Sequence, residues 1–197
     1  MEIFINNQKA DITLDNERTL REVLSALETE FSKHDATTVT IFVNGNAVTA
    51  DEFEKYSDLA IEDVNKLELT TVSQEDIKNS FIEIGNIFSI LVEDLKQIAL
   101  QFQSGQDSNA VNTVKKLADS IDMFCHVATL SSLFPEKFDS ILIDGKSISE
   151  FFDDFSTVLT EFEQALQNSD SVLVGDLAEY EISPRLISIT EMTQSLK

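Results

Sequence analysis

Apolar residues recur at steps of four and three through Ile77, Phe81, Ile84, Phe88, Leu91, Leu95, Ile98 and Phe102. That spacing places all eight on one stripe of a single helix, an a/d pattern held for almost four heptads. At about 1.5 Å per residue such a helix is roughly 39 Å long. Ser73 followed by Asp76 starts it as a capping pair, and Gly105 stops it. A stripe this long does not stay in water, so the segments that follow are read as its cover.

Asp107 or Ser108 opens a second helix, with Val111, Val114, Ala118, Ile121, Cys125 and Ala128 as its predicted buried face, widened by Leu117 and Phe124. It ends by Phe134, because Pro135 disfavours helix at the residue before it. Residues 138–143 fit helix tail, strand or irregular cover, and Asp144-Gly145-Lys146 is a turn. Ser147 and Glu150 form a capping box for a third helix. Its stripe of Ile148, Phe152, Phe155, Leu159, Phe162 and Leu166, flanked by Phe151, mirrors the first. After Asn168-Ser169-Asp170 a last helix puts Leu173, Leu177, Tyr180, Pro184 and Ile187 on one face. A kink or break is expected at Pro184, which has no N–H to donate to residue 180. Short loops between these segments predict an antiparallel four-helix bundle over residues 73–197. The simplest cover for the long stripe is the rest of the same chain; the alternative is a homodimer seam.

Residues 1–72 alternate on a shorter period. Ile3 and Ile5, the turn at Asn6-Asn7-Gln8, then Ala10, Ile12 and Leu14 predict a β-hairpin. Thr19 and Glu22 are a capping box for a helix carrying Leu20, Val23, Leu24, Leu27 and Phe31 on one face. Residues 39–43 form an apolar, β-branched strand, Asn44-Gly45-Asn46 a turn with a short return at Ala47-Val48, residues 51–56 one or two helical turns, and residues 67–72 a last strand. The predicted class is α+β, with domains at 1–72 and 73–197.

The order hairpin, helix, strand, short insert, last strand, with the Ile41-Phe42-Val43-Asn44-Gly45 turn, resembles the β-grasp or ubiquitin-like fold, sulfur-carrier proteins included. In those carriers function depends on a free C-terminal Gly-Gly. Here Leu69-Thr70-Thr71-Val72-Ser73-Gln74 runs on into the helical part, so the resemblance implies a compact adaptor surface without sulfur transfer or conjugation. The segment from Val172 to Leu186 resembles uncharacterised bacterial proteins of an acidic helical-bundle type. By helix length and acidity the bundle is also similar to small secretion and flagellar chaperones, which cover an apolar client helix with a groove. That likeness implies that Glu150, Asp153, Asp154, Glu161 and Glu163 select a basic client.

Charge narrows the partners. Thirty-six acids against 14 Lys and Arg give a net charge of -22. Nucleic acid and anionic membrane need a cationic footprint and are excluded on this ground. A protein with a basic or amphipathic helical surface is the expected partner. Cys125 is the single cysteine, which rules out an internal disulfide and a cysteine-built zinc site. His126 points about 100° away from it on a helix and makes a poor dyad with it. The two histidines, distant in sequence, cannot supply paired Glu-x-x-His iron motifs, and no calcium loop or phosphate-binding glycine motif is present. No metal, cofactor or catalytic set is therefore expected. The first residues lack a signal peptide pattern and no segment is apolar enough to span a membrane, which predicts a cytoplasmic protein.

Asp176, Glu179, Glu181 and Arg185, gathered on successive turns before and after Pro184, are the candidate interaction surface. The expected function is a non-enzymatic protein-interaction or adaptor role, chaperone-like in character. The alternatives are a structural homo-oligomer built through the helical domain and a carboxylate-based enzyme or small-ligand binder.

Overall fold

A computed structural model describes residues 1–14 and 16–197. They form two compact units, Met1–Asp76 and Ile77–Lys197. The first is a mixed sheet with a helix across it, and the second is almost wholly helical.

In the first unit β1 (Glu2–Ile5) turns back into β2 (Gln8–Ala10), α1 (Leu20–Ser32) follows, then β3 (Ala36–Val43) and β4 (Asn46–Ala47). A 3-10 turn leads into α2 (Phe53–Ser57), a second 3-10 turn follows, and β5 (Lys66–Ser73) closes the unit. The sheet order is β2-β1-β5-β3-β4, with β1 parallel to β5 and the other pairs antiparallel. Asn6 and Asn7 have φ of 50° and 65°, and Asn44 and Gly45 have 51° and 82°; two successive positive φ values twist a two-residue turn to match its strands. The second strand is shorter than its alternation predicts, because Ala10 already pairs with Ile3, next to the start of β1. Ile12 and Leu14 continue beyond it and pack against the core without pairing.

That core is aliphatic: Ile3, Leu20, Val23, Leu27, Val43, Val64, Leu67 and Leu69 are buried. The Thr19–Glu22 capping box forms as expected. Ser57 is fully buried and accepts from Arg21 Nη2 at 2.6 Å, which ties α2 to α1.

Strand β5 passes directly into α3 (Gln74–Leu95), whose first turn is capped by Ser73 and Asp76 reciprocally, at 2.7 to 3.1 Å. Then come α4 (Ile98–Gln103), α5 (Asp107–Ser131), α6 (Pro135–Phe138), a hairpin of β6 (Leu142–Ile143) and β7 (Lys146–Ser147), α7 (Ile148–Gln167), α8 (Ser171–Asp176), a π turn (Leu177–Ile182) and α9 (Ser183–Gln194). No helix among the described residues is long and apolar enough to cross a membrane.

Two expectations for this region need correction, and two open ones are resolved. The long helix is not continuous to residue 102: it ends at Leu95 and resumes at Ile98. The break turns α4 toward α5 and α8, where Gly175 lies so close to Ala99 that a Cβ on it would stand 2.5 Å from the alanine methyl. Phe102 is consequently only half-buried, while the other seven stripe residues are buried.

Residues 138–143 resolve into the end of α6 and the strand of a small hairpin, turned by Asp144 and Gly145 at φ 52° and 77°. Pro184 does not break the last helix. The preceding turn widens to a π turn, Ser183 Oγ donates to the Ala178 carbonyl at 2.7 Å, and α9 continues from there.

The second correction concerns α5. Its buried face is Ala110, Thr113, Leu117, Ser120, Phe124, Val127 and Ser131, not the apolar stripe that begins at Val111. Two of the buried hydroxyls satisfy themselves locally: Ser120 donates to the Lys116 carbonyl at 2.7 Å and Ser131 to the Ala128 carbonyl at 2.8 Å. Small side chains at these positions leave room for the rings of Phe81 and Phe88, each in contact with Phe124 at 5.4 and 6.2 Å between centroids.

Candidate functional site: a half-open groove between two helices

The rotation of α5 leaves its most apolar stripe outside the core. Val111 is 57% exposed, Ala118 and Cys125 are exposed, and Val114, Ile121 and Ala128 are half-buried. The stripe of α7 is split in a related way. Phe155 and Phe162 are buried, whereas Ile148, Phe152, Leu159 and Leu166 are half-buried.

These two partly covered stripes face a shared seam. Phe124 and Phe152 stack across it at 5.1 Å and 21°. Toward one end a cavity of about 390 Å³ is lined by Cys125, Ala128, Phe138, Ile141, Ile148 and Phe152. Toward the other a cavity of about 410 Å³ is lined by Phe102, Asp107, Val111, Leu166 and Val174. Ala118, Ile121 and Leu159 fall between the two cavities by helical spacing and line neither, so the groove consists of two separate openings along one partly covered seam.

Its chemistry is that of a binding surface. The Cys125 thiol is pushed up by burial and, secondarily, by the charge of Asp122, so it stays protonated at neutral pH and is a poor nucleophile. Among the described residues no group of three or more His, Cys, Asp and Glu is placed to hold a metal ion.

Asp176, Glu179, Glu181 and Arg185 take different places. Asp176 and Glu179 are exposed, as is Tyr180 beside them. Glu181 and Arg185 pair at 2.7 Å, and the same guanidinium nitrogen donates to the Glu181 carbonyl at 2.8 Å. Arg185 also lies over the Phe155 ring, 6.0 Å from its centroid. It therefore braces the π turn from inside the fold.

Of the acids expected to face a client, Asp154 is paired with Lys146, which holds its carboxyl below the usual range. Glu150 is consumed in the capping box with Ser147, and the hydroxyl and backbone N–H of Ser147 hold its pKa down. Glu163, four residues after Leu159, remains on the groove side of α7, whereas Asp153 is one step from Phe152 and about 100° round the helix from it. The groove was missed in the sequence because its lining residues have the spacing of a core; the hydroxyls at Thr113, Ser120 and Ser131 were the available sign of a second, competing face.

Residues 79–192 match the family described as domain of unknown function DUF8042. The chain belongs to the DUF8042 family. Its DUF8042 region contains α5, α7 and the whole groove, and residues 1–73 match the TP0873 N-terminal domain. The chain is similar to an uncharacterized protein of Treponema pallidum (strain Nichols), 29% identical over 184 residues that make up 93% of this chain and 92% of that one. No solved structure matches.

Proposed function

We propose that this DUF8042 protein is a non-enzymatic adaptor, in which a β-grasp-like head is joined to a helical bundle that docks another protein in the α5–α7 groove. The observation that carries the reading is the apolar stripe of Val111, Ala118, Ile121 and Cys125, which lies outside the core although hydroxyl side chains occupy positions inside it. Unpaired apolar surface of this kind on a folded chain marks an interaction site. The β-grasp reading of the head is supported by its sheet order, by the parallel β1–β5 pair at its centre and by α1 across one face. The bundle reading is supported by four longer helical runs, α3, α5, α7 and α8 to α9, while α4 and the segment of α6 and the hairpin lengthen two of the three connections between them. The reading is chaperone-like in that a groove, not a reactive centre, does the work.

The test is cross-linked capture from the cell of origin with the full chain, comparing the wild type with Val111→Glu and Tyr180→Glu. A partner identified by mass spectrometry that is lost with Val111→Glu and kept with Tyr180→Glu, both variants folding normally, supports the groove. The opposite pattern moves docking to the surface beside the π turn and overturns it. A concentration-dependent solution mass of twice the chain, abolished by Val111→Glu, would replace the adaptor with a homo-oligomer.

A further inference from the structure

The groove has a charge pattern as well as a shape. Asp107 and Asp139 line its two end cavities. Asp122 lies close enough to Cys125 to raise that thiol's pKa, and Glu163 stands on the groove side of α7, four residues after Leu159. None of these four acids has a cationic partner within ion-pair distance among the described residues, although several other acids of the same unit do. Of the nearby cations, Lys146 pairs with Asp154 and Arg185 with Glu181, while Lys115, four residues after Val111 and three before Ala118, stands on the α5 flank itself. An apolar floor with a mainly acidic rim favours a ligand with an apolar stripe flanked by the opposite sign.

Length narrows the ligand further. From Val111 to Cys125 and Ala128 the groove follows α5 for 14 to 17 residues, or about 21 to 26 Å. A helix lying along it reaches both cavities with apolar residues two heptads apart, since positions i and i+14 share a stripe.

Resting on the groove reading above, we propose that the occupant is a basic amphipathic helix of a partner protein. It carries an a/d apolar stripe of at least four turns, with Lys or Arg on both flanks set against Asp107, Asp122, Asp139 and Glu163. Apolar burial provides the binding and the charges set which helices are accepted.

Cys125 lies in the groove and is the single thiol of the chain, so it reports occupancy without engineering. The probes are three-heptad peptides with leucine at every a and d position and lysine, glutamine or glutamate at the others, together with a Leu/Lys peptide of scrambled order. The measurements are the rate of Cys125 modification by an aromatic disulfide reagent and binding by fluorescence anisotropy, with the full-length protein at physiological salt. The Leu/Lys helix is expected to slow Cys125 modification severalfold. It should bind at least about tenfold more tightly than the Leu/Gln helix, equivalent to about 1.4 kcal/mol, with the difference shrinking as salt rises. Asp122→Asn combined with Glu163→Gln should erase most of that preference, and Val111→Glu should weaken both peptides.

Equal protection of Cys125 by the lysine, glutamine and glutamate helices overturns the basic-helix inference and leaves the groove standing. Binding of the scrambled peptide as tightly as the ordered one, without protection of Cys125, reduces the attraction to diffuse charge and also overturns it. Failure of every helix to protect Cys125 overturns the inference and the groove reading together.

Discussion

Helices α3 and α5 carry stripes of nearly the same spacing and have opposite fates. In α3 the stripe from Ile77 to Leu95 is buried throughout. In α5 the more apolar stripe, beginning at Val111, is only partly covered, and the helix buries Thr113, Ser120 and Ser131 with Leu117, Phe124 and Val127. Hydrophobic periodicity identifies a helix and offers candidate faces, but it does not choose among faces that overlap by one residue step. Volume decides. Phe81, Phe88, Phe124 and Phe155 are fully buried in this unit, and close packing around rings needs small neighbours as much as large ones. A hydroxyl that bonds its own helix carbonyl serves as a small, satisfied neighbour.

The comparison can be broken by mutation, and the largest effect should come from the α3 side. Phe88→Ala removes a fully buried ring that touches Phe124 and should cost about 3–5 kcal/mol in chemical denaturation. A loss below about 1 kcal/mol would mean that α3 does not hold the core.

Gly85→Ala comes next. Its Cβ would stand 1.9 Å from Thr193 Oγ1, where α3 and α9 cross and Thr190 donates to the Gly85 carbonyl at 3.3 Å. Destabilisation of about 1–3 kcal/mol is expected from overpacking. Substantial rescue of Gly85→Ala by Thr193→Ala in a double-mutant cycle would identify this crossing as the cause.

Ser120→Ala sharpens the α5 side. Its hydroxyl bonds only its own helix, so its removal should change stability by less than about 1 kcal/mol. Val111→Glu, on the groove, should stay within about 0.5 kcal/mol of wild type, as surface changes do. A cooperative loss of several kcal/mol would show that the α5 stripe is core after all.

The smallest effect concerns acid stability. Glu22 and Glu150 both have folded pKa values lowered from 4.5 by cap hydrogen bonds. Their stabilising contribution is full above the unfolded carboxylate range and is lost as pH falls through the lower folded values. Glu150→Gln should therefore flatten the fall in melting temperature on acidification. An unchanged acid limb would mean that the cap contributes nothing through its charge.

The first unit was legible in far more detail than the second. Its element order, the Thr19–Glu22 cap and the turns at Asn6-Asn7 and Asn44-Gly45 are encoded in neighbouring residues, and period-two alternation leaves little choice of face. In the helical unit, composition and spacing indicated the helices, the Ser147–Glu150 cap and the α3 stripe for the same local reason. Near Pro184 the i,i+4 spacing of Glu181 and Arg185 announces the ion pair that forms at 2.7 Å, whereas no residue type announces the π turn before it.

Local chemistry thus determined the α+β class, the capped helices and the presence of long apolar stripes, because caps, turns and periodicity act within a few residues along the chain. Tertiary structure alone decided where α3 gives way to α4, how Pro184 is accommodated, and above all which face of α5 is buried. Those outcomes rest on how rings, hydroxyls and glycines from distant segments fill one volume. That shared filling leaves the stripe from Val111 to Ala128 bordering a groove.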